Sequence, residues 1–293
     1  MKIKIGSRGS PLAKIQAAQT GALLTKQFPG LKTEFVFIKT SGDRRGAPIG
    51  GKGAFVREIE EALASGAVDI AVHSMKDMPS ALPDGLAIGA VPPRADPSDC
   101  VVFPDGADGS LKKGARVGTA SLRRSCQVLA MRPDVSVLPV RGNVGTRIDK
   151  MNAGEFDALV LASAALDRLD MTGRAGLRFN PAEFVPAPGQ GALAVECRED
   201  DAQTREWLSA IECAESQMCV GIERQFLARL GGDCSVPAGC HARRSGGKIE
   251  VVAVLAADGR GEVHRETAVA EEADCGRVGA EIAERVMLKA GGH

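Results

Sequence analysis

VDIAVHSMKDMP, residues 68–79, decides how the chain is read. Val68, Ile70, Ala71 and Val72 suit a parallel strand covered on both faces, and the helix-like stretch before it supplies one cover. His73, Ser74, Lys76 and Asp77 then fall at the strand's carboxyl end, the edge where open α/β sheets bind ligands. An acid and an ammonium adjacent in sequence and stiffened by Pro79 can protonate a leaving group and hold a substrate anion. The same residues also make an ordinary surface Lys-Asp turn, so the rest of the chain has to decide between the two.

Upstream, KIKI (2–5) reads as a first strand, followed by Gly6-Ser7-Arg8-Gly9 and Ser10-Pro11. Ser10 is a good N-cap with proline at the first helical position, and Leu12, Ile15, Ala18, Ala22 and Leu23 form an apolar stripe running to about Gln27. Strand, glycine turn and helix N-terminus make an anion site, to which Arg8 adds a fork suited to a carboxylate. It is neither a GxGxxG fingerprint nor a P-loop. Thr33–Lys39 reads as a second strand. Residues 40–53, TSGDRRGAPIGGKG, read as a long loop, a lid or a plain connection. Phe55–Ser65 resumes as the helix that feeds the opening strand.

Downstream, Leu86–Val91 is a strand, and Pro92-Pro93-Arg94-Ala95-Asp96-Pro97 stiffens a crossing between domains. The βα pattern then restarts, with strands near 101–103, 116–119, 135–140 and 158–161 and helices near 121–131, 144–153 and 164–170, giving a second doubly wound unit. Arginines gather where its strands give way to helices. Thr119, Ser121, Arg123 and Arg124 sit at one helix N-terminus, where the dipole disfavours cations unless an anion compensates. Arg141 and Arg147 repeat the theme at the next strand end and Arg168 follows the one after, a pattern that implies a polyanionic ligand. FVPAPGQGALAVE, 184–196, is a second Pro-Gly break that returns the chain to the first domain, leaving a hinged cleft. Residues 216–289 then read as helix, three strands and helix, a small α+β module.

Composition excludes several classes. The 293 residues carry 37 Lys+Arg against 37 Asp+Glu, so net charge calls for neither nucleic acid nor an anionic membrane. Aromatics are 3%, too few for base-stacking platforms. No apolar run approaches the ~20 residues that cross a bilayer, and MKIKIG reads as a strand rather than a signal peptide, which leads us to expect a cytoplasmic protein. Eight scattered cysteines with no CxxC pair read mostly as reduced core residues. Cys234 differs: LGGDCSVP (230–237) puts it at the tip of a glycine-flanked loop that a ligand can approach. Cys240-His241 supplies two metal-ligand candidates with no others at regular spacing, a weak metal signal.

Together the segments SRGSPLA, GGKGAFVREIE, DIAVHSMKDMP, GTASLRR, VRGNVGTR, PGQGALAVE and LGGDCSVPAG occur in an order that resembles the porphobilinogen deaminase (hydroxymethylbilane synthase) family over almost the whole chain. The resemblance implies an α/β fold of three domains. Residues 1–92 with 192–212, and residues 97–188, would be doubly wound and similar to periplasmic binding proteins, and 213–293 would be a small α+β domain. It implies a covalent dipyrromethane cofactor on Cys234 through a thioether, a catalytic Asp77, and cofactor contacts from Lys76, Asp77, Thr119, Ser121, Arg123, Arg124 and Arg141. Substrate contacts would come from Arg8, Ser10, Arg141, Arg147 and Arg168, with Lys52 in the lid. Four porphobilinogen molecules would condense with loss of ammonia, and hydrolysis would release 1-hydroxymethylbilane, with no metal, on a monomer. Departures are Cys240-His241 where some relatives have Ser-Tyr, which leaves a competing thiol near the cofactor loop, and Ala165 where some have Gly. The rival reading is a non-catalytic hinged anion-binding protein, which gives no work to Cys234 or to the third domain. A nicotinamide-dependent dehydrogenase fails for want of the glycine fingerprint.

Overall fold

A computed structural model of the chain describes residues 1–43, 56–232, 236–256 and 262–291. In chain order the first elements are β1 (Lys2–Arg8), α1 (Pro11–Gln27), β2 (Lys32–Ile38), α2 (Arg57–Ala64), β3 (Ile70–Ser74) and β4 (Leu86–Ala90). Next come β5 (Asp99–Val102), β6 (Arg116–Gly118), α3 (Leu122–Met131), β7 (Ser136–Leu138), α4 (Val144–Asn152), β8 (Ala158–Ala162), α5 (Ser163–Arg168) and β9 (Ala175–Arg178). The last are β10 (Leu193–Arg198), α6 (Ala202–Ser209), α7 (Ala214–Arg229), β11 (Ala238–Ser245), β12 (Lys248–Ala256), β13 (Val263–Glu271) and α8 (Val278–Lys289).

Two compact units result, Met1–Ala95 with Ala192–Gly221 and Asp96–Gly191 with Ile222–His293. The first holds the sheet β2-β1-β3-β10-β4 and the second the sheet β7-β6-β8-β5-β9. Both orders share one plan. Three strands run parallel, then a strand antiparallel to its neighbours is inserted. In each sheet the inserted strand, β10 or β5, is the first one the chain makes after a crossing. The second crossing is tight because Gly189 and Gly191 take φ of 73° and 87°, the left-handed region that a side chain would disfavour.

Each of these sheets is covered on both faces, the doubly wound α/β class expected from the sequence. In the first unit Ile3, Ile5, Ile70 and Val72 pack under Ala17 and Leu24 of α1 and Trp207 and Leu208 of α6. Val68, Ala71 and Leu86 pack under Ile59 and Leu63 of α2 on the other face. The second unit repeats this, with Ile148, Met151 and Leu166 over Cys100, Leu159 and Leu161, and Val128 and Phe184 over Val117 and Val160. The small α+β part is built on the antiparallel sheet β11-β12-β13. There α8 approaches α7 so closely that a Cβ on Gly279 would lie 2.1 Å from the Ile222 carbonyl oxygen, so only glycine fits.

Candidate active site

The first unit gathers its polar groups at the carboxyl ends of β1 and β3. These strands run side by side, Ile5 opposite Ile70 and Gly6 opposite Ala71, so the residues that leave the two strands lie at one edge. After β1 come half-buried Arg8 and then Ser10, whose Oγ caps α1 by accepting from the Ala13 N–H at 3.3 Å. After β3 comes a 3-10 turn, Met75–Asp77. The Met75 N–H donates to the Ala192 carbonyl at 3.0 Å and the Met78 N–H to the Met75 carbonyl at 3.1 Å. Met75 and Met78 sink into an apolar cluster with Val56, Val91 and Ala194. Burying the two methionines leaves Lys76 and Asp77 half-buried between them, on a turn held at both ends. Among the described residues, no hydrogen bond or ion pair engages the Asp77 carboxylate, which leaves it available to a ligand. Ser74, at the end of β3, accepts from the Gln16 amide at 2.8 Å.

The second unit does the same at three adjacent parallel strands, β7, β6 and β8. Thr119 comes after β6 and is buried, its Oγ1 accepting from the Ser121 N–H at 3.2 Å; Ser121 takes the N-cap position of α3 without a side-chain bond. Arg141 comes after β7 and is exposed. Arg147, on α4, donates from Nε to the Gly142 carbonyl at 2.7 Å. Arg168 closes α5 after β8 and donates to the Gly191 carbonyl at 2.9 Å. Burial lowers its pKa, with Asp167 opposing. Lys52 and Cys234 lie outside the described residues.

Arg123 and Arg124 require a correction. The sequence alone leaves their charge in the first turn of α3 uncompensated, but the structure supplies a counter-ion within the chain. Arg123 Nη1 donates to Asp99 Oδ2 and to the Val185 carbonyl, both at 2.7 Å. Arg124 donates to Asp99 Oδ1 from Nε at 3.0 Å and Nη2 at 2.7 Å, and to the Val160 carbonyl at 3.1 Å. Gln190 adds a further bond to Asp99 at 2.9 Å. Asp99 is fully buried, and both arginines are nearly so. Burial alone would push the Asp99 carboxyl up, but the Arg123 and Arg124 charges outweigh it and hold it far below the usual carboxylate range.

Removing one partner of such a cluster strands charge in a dry interior. Arg123→Leu is therefore expected to cost roughly 3–5 kcal/mol of stability, seen as a drop in Tm of the purified protein. The opposite expectation, unchanged or slightly raised stability on the ground that facing arginines repel, applies only to arginines without a counter-ion. An unchanged Tm would mean that Asp99 does not depend on Arg123.

Sequence reasoning missed Asp99, Gln190 and Arg178. Arg178, on β9, bonds Asp96 and Asp167, fastening the first crossing to the end of α5. The available signal was position, since Asp96 and Asp99 border the proline-rich crossing and Gln190 lies inside PGQG. Cys240 is fully buried, so the expected competing thiol is removed from solvent. His241 Nδ1 lies 3.4 Å from the buried Glu223. Among the described residues, no group of three metal-ligating side chains forms.

A family model for "Porphobilinogen deaminase, dipyromethane cofactor binding domain" matches residues 3–206, and one for "Porphobilinogen deaminase, C-terminal domain" matches residues 217–288. The chain belongs to the porphobilinogen deaminase family. The porphobilinogen deaminase of Syntrophotalea carbinolica is 43% identical over 98% of this chain and 93% of its own. That of Limosilactobacillus reuteri is 41% identical over 98% of this chain and 96% of its own. Among solved structures, a Salmonella typhimurium periplasmic binding protein with high arginine specificity aligns over 72% of this chain and 91% of its own at 14% identity, with a TM-score of 0.41.

Proposed function

We propose that this chain is the hydroxymethylbilane synthase of tetrapyrrole biosynthesis, a transferase that condenses four porphobilinogen molecules on a covalent dipyrromethane primer and then hydrolyses the product to 1-hydroxymethylbilane. Family membership across 3–206 and 217–288 carries this reading. It does not favour the rival, a non-catalytic hinged anion-binding protein.

The residues present suit a primer bearing several carboxylates. Guanidinium forks bind carboxylates in bidentate fashion, and the second unit offers Arg141 to the primer, with Arg147 and Arg168 at the same sheet edge for the arms of incoming substrate. Arg123 and Arg124 would reach a ligand carboxylate only while sharing their charge with Asp99. Cys234 would carry the primer as a thioether, and the primer supplies the nucleophilic pyrrole carbon on which the chain grows. Thr119 and Ser121 would add hydroxyl contacts.

In the first unit, Arg8 and Ser10 would hold the acetate and propionate arms of incoming porphobilinogen, and Lys76 would contact the primer. Asp77 would stabilise the positive charge left on the substrate when ammonia departs, and then accept the proton from the attacked pyrrole carbon. A half-buried carboxyl group on a turn anchored by Met75 and Met78 suits that work, because the group is held in position before the reaction starts.

We further place the chain in the cytoplasm as a monomer with no nucleic-acid or membrane partner, and divide it into domains at 1–92 with 192–212, 97–188 and 213–293. Among the described residues, no helix is long and apolar enough to cross a membrane. The function is tested by incubating purified protein with porphobilinogen. Release of ammonia and of a linear tetrapyrrole is expected, and failure to consume the substrate would overturn the assignment.

A further inference from the structure

Beneath β3, on the face covered by α2, three titratable side chains meet in a layer otherwise built of Ile59, Leu63, Val68, Ala71 and Leu86. His73 Nε2 lies 2.8 Å from Glu196 Oε2, with both side chains buried. Glu60, on α2, is 8% exposed and joins them. Among the described residues, His73 Nε2, both Glu196 oxygens and Glu60 Oε1 make no hydrogen bond, so the 2.8 Å approach of His73 to Glu196 is an electrostatic contact. Glu196 also sits where β10 changes register against β4, whose Gly89 is skipped between the pairs Val195–Ala90 and Glu196–Ile88. Such irregularities re-aim a side chain.

Apolar residues of the same volume would fill this layer at less cost than buried ionisable groups. What the three groups add is a close electrostatic contact between two strands. His73 is opposite Ala194 and Glu196 opposite Ala71, so the bridge runs diagonally from β3 to β10. It ends one residue before Ser74 and the 3-10 turn. We propose that Glu60, His73 and Glu196 act together as a positioning unit that fixes the end of β3, and with it the Lys76–Asp77 turn, where the reaction needs it. This rests on the reading of Asp77 as the catalytic carboxylate.

Proton count makes the unit pH-sensitive. As the neutral acid Glu60 adds no charge to this layer; ionised, it adds a buried negative charge. Burial pushes the Glu60 carboxyl up to about 7, the Glu196 charge adding to the rise and His73 opposing it. On the same face of β10, Arg198 donates to the Leu63 and Val68 carbonyls at 3.0 and 2.9 Å and to Asp201 at 2.7 Å, with Asp69 at 3.8 Å. Alternation along β1 turns half-buried Lys4 and Arg8 to this face. On α2 itself, Arg57 faces Glu61 at 3.9 Å and Glu58 accepts from the Ser41 N–H at 2.8 Å.

The test uses the purified full chain and measures kcat and KM for porphobilinogen from pH 6 to 9, with Tm from pH 5 to 8. Glu196→Gln is expected to lower kcat ~10-fold or more, as a small misplacement of a reacting group does, with KM within about twofold. Because the Glu60 pKa is raised on folding, wild-type stability falls as pH rises from the ordinary glutamate range to about 7. The Tm advantage of Glu60→Gln over wild type should therefore grow across that span. Its kcat relative to wild type should change through pH 6–8, while exposed Arg57→Gln tracks wild type throughout. Should Glu196→Gln fail to fold, Glu60→Gln carries the test. Wild-type kcat at every pH in both variants, with only Tm moved, would make the cluster structural and overturn the proposal. Full activity of Asp77→Asn would instead remove the reading on which it rests.

Discussion

Asp77→Asn is expected to lower turnover at least ~100-fold while leaving KM for porphobilinogen nearly unchanged, the scale for loss of one electrostatic or acid–base group. Asparagine keeps the shape and much of the hydrogen bonding of the side chain, and the turn around it is set by other groups. The Met75 and Met78 side chains are buried and the Met75 N–H is bonded to the Ala192 carbonyl. The substitution should therefore fold normally, and Tm close to wild type is part of the expected result. Affinity should be spared because the carboxylate arms fall to arginines rather than to Asp77. Asp77→Glu keeps the charge but displaces it by about one methylene and should retain more activity than Asn. Steady-state kinetics of the three proteins decide the matter. A loss confined to KM, or an Asn variant nearly as active as wild type, would return the Lys-Asp turn to an ordinary surface feature.

Local signals made much of this architecture readable in advance. Ser10-Pro11 specify the start of α1, which the structure begins at Pro11 with Ser10 as its cap, but its buried face is Ala13, Gln16, Ala17, Thr20, Gly21 and Leu24 rather than the expected stripe, of which Ala18 and Ala22 are exposed. The apolar run before His73 specifies β3, and the two Pro-Gly breaks fall where the chain changes sheet. The features that stayed hidden depend on partners remote in sequence. Ala175–Arg178 has no strand-like alternation, yet it pairs with β5 because Cys100–Val102 offers an open edge there. The antiparallel direction of β5 and β10 is set by the crossings, which residue patterns do not orient. Arg123 and Arg124 look like a bare cationic pair until Asp99 is brought against them. Glu60, His73 and Glu196 lie on three separate segments, and only the pairing of β3 with β10 under α2 makes them neighbours.

Cys234→Ser should fold and yet lack the covalent dipyrromethane, so that its intact mass equals the bare polypeptide while the wild-type mass exceeds it by the primer. The reason is nucleophilicity: a serine hydroxyl is a far poorer nucleophile at neutral pH than a thiol, part of which is thiolate. No condensation can start without the primer, so activity should fall to background, a larger effect than that of any single arginine. Intact-mass spectrometry separates this from misfolding, since a folded, soluble Ser variant with unchanged Tm and bare mass shows the loss to be chemical. Seven further cysteines provide an internal control. Cys100, Cys126, Cys197, Cys219, Cys240 and Cys275 are buried and Cys213 is half-buried, and burial raises the thiol pKa of Cys100 to about 11, which makes it inert toward an electrophile. Cys240 is the nearest of them in sequence, but it is fully buried on β11, with its N–H bonded to the Pro186 carbonyl at 3.1 Å. Peptide mapping of the wild-type protein should therefore place the added mass on the peptide containing Cys234. A bare wild-type mass would remove the primer from the proposed reaction, and a primer mapped to Cys240 would move the attachment to β11 and require that strand to open during assembly.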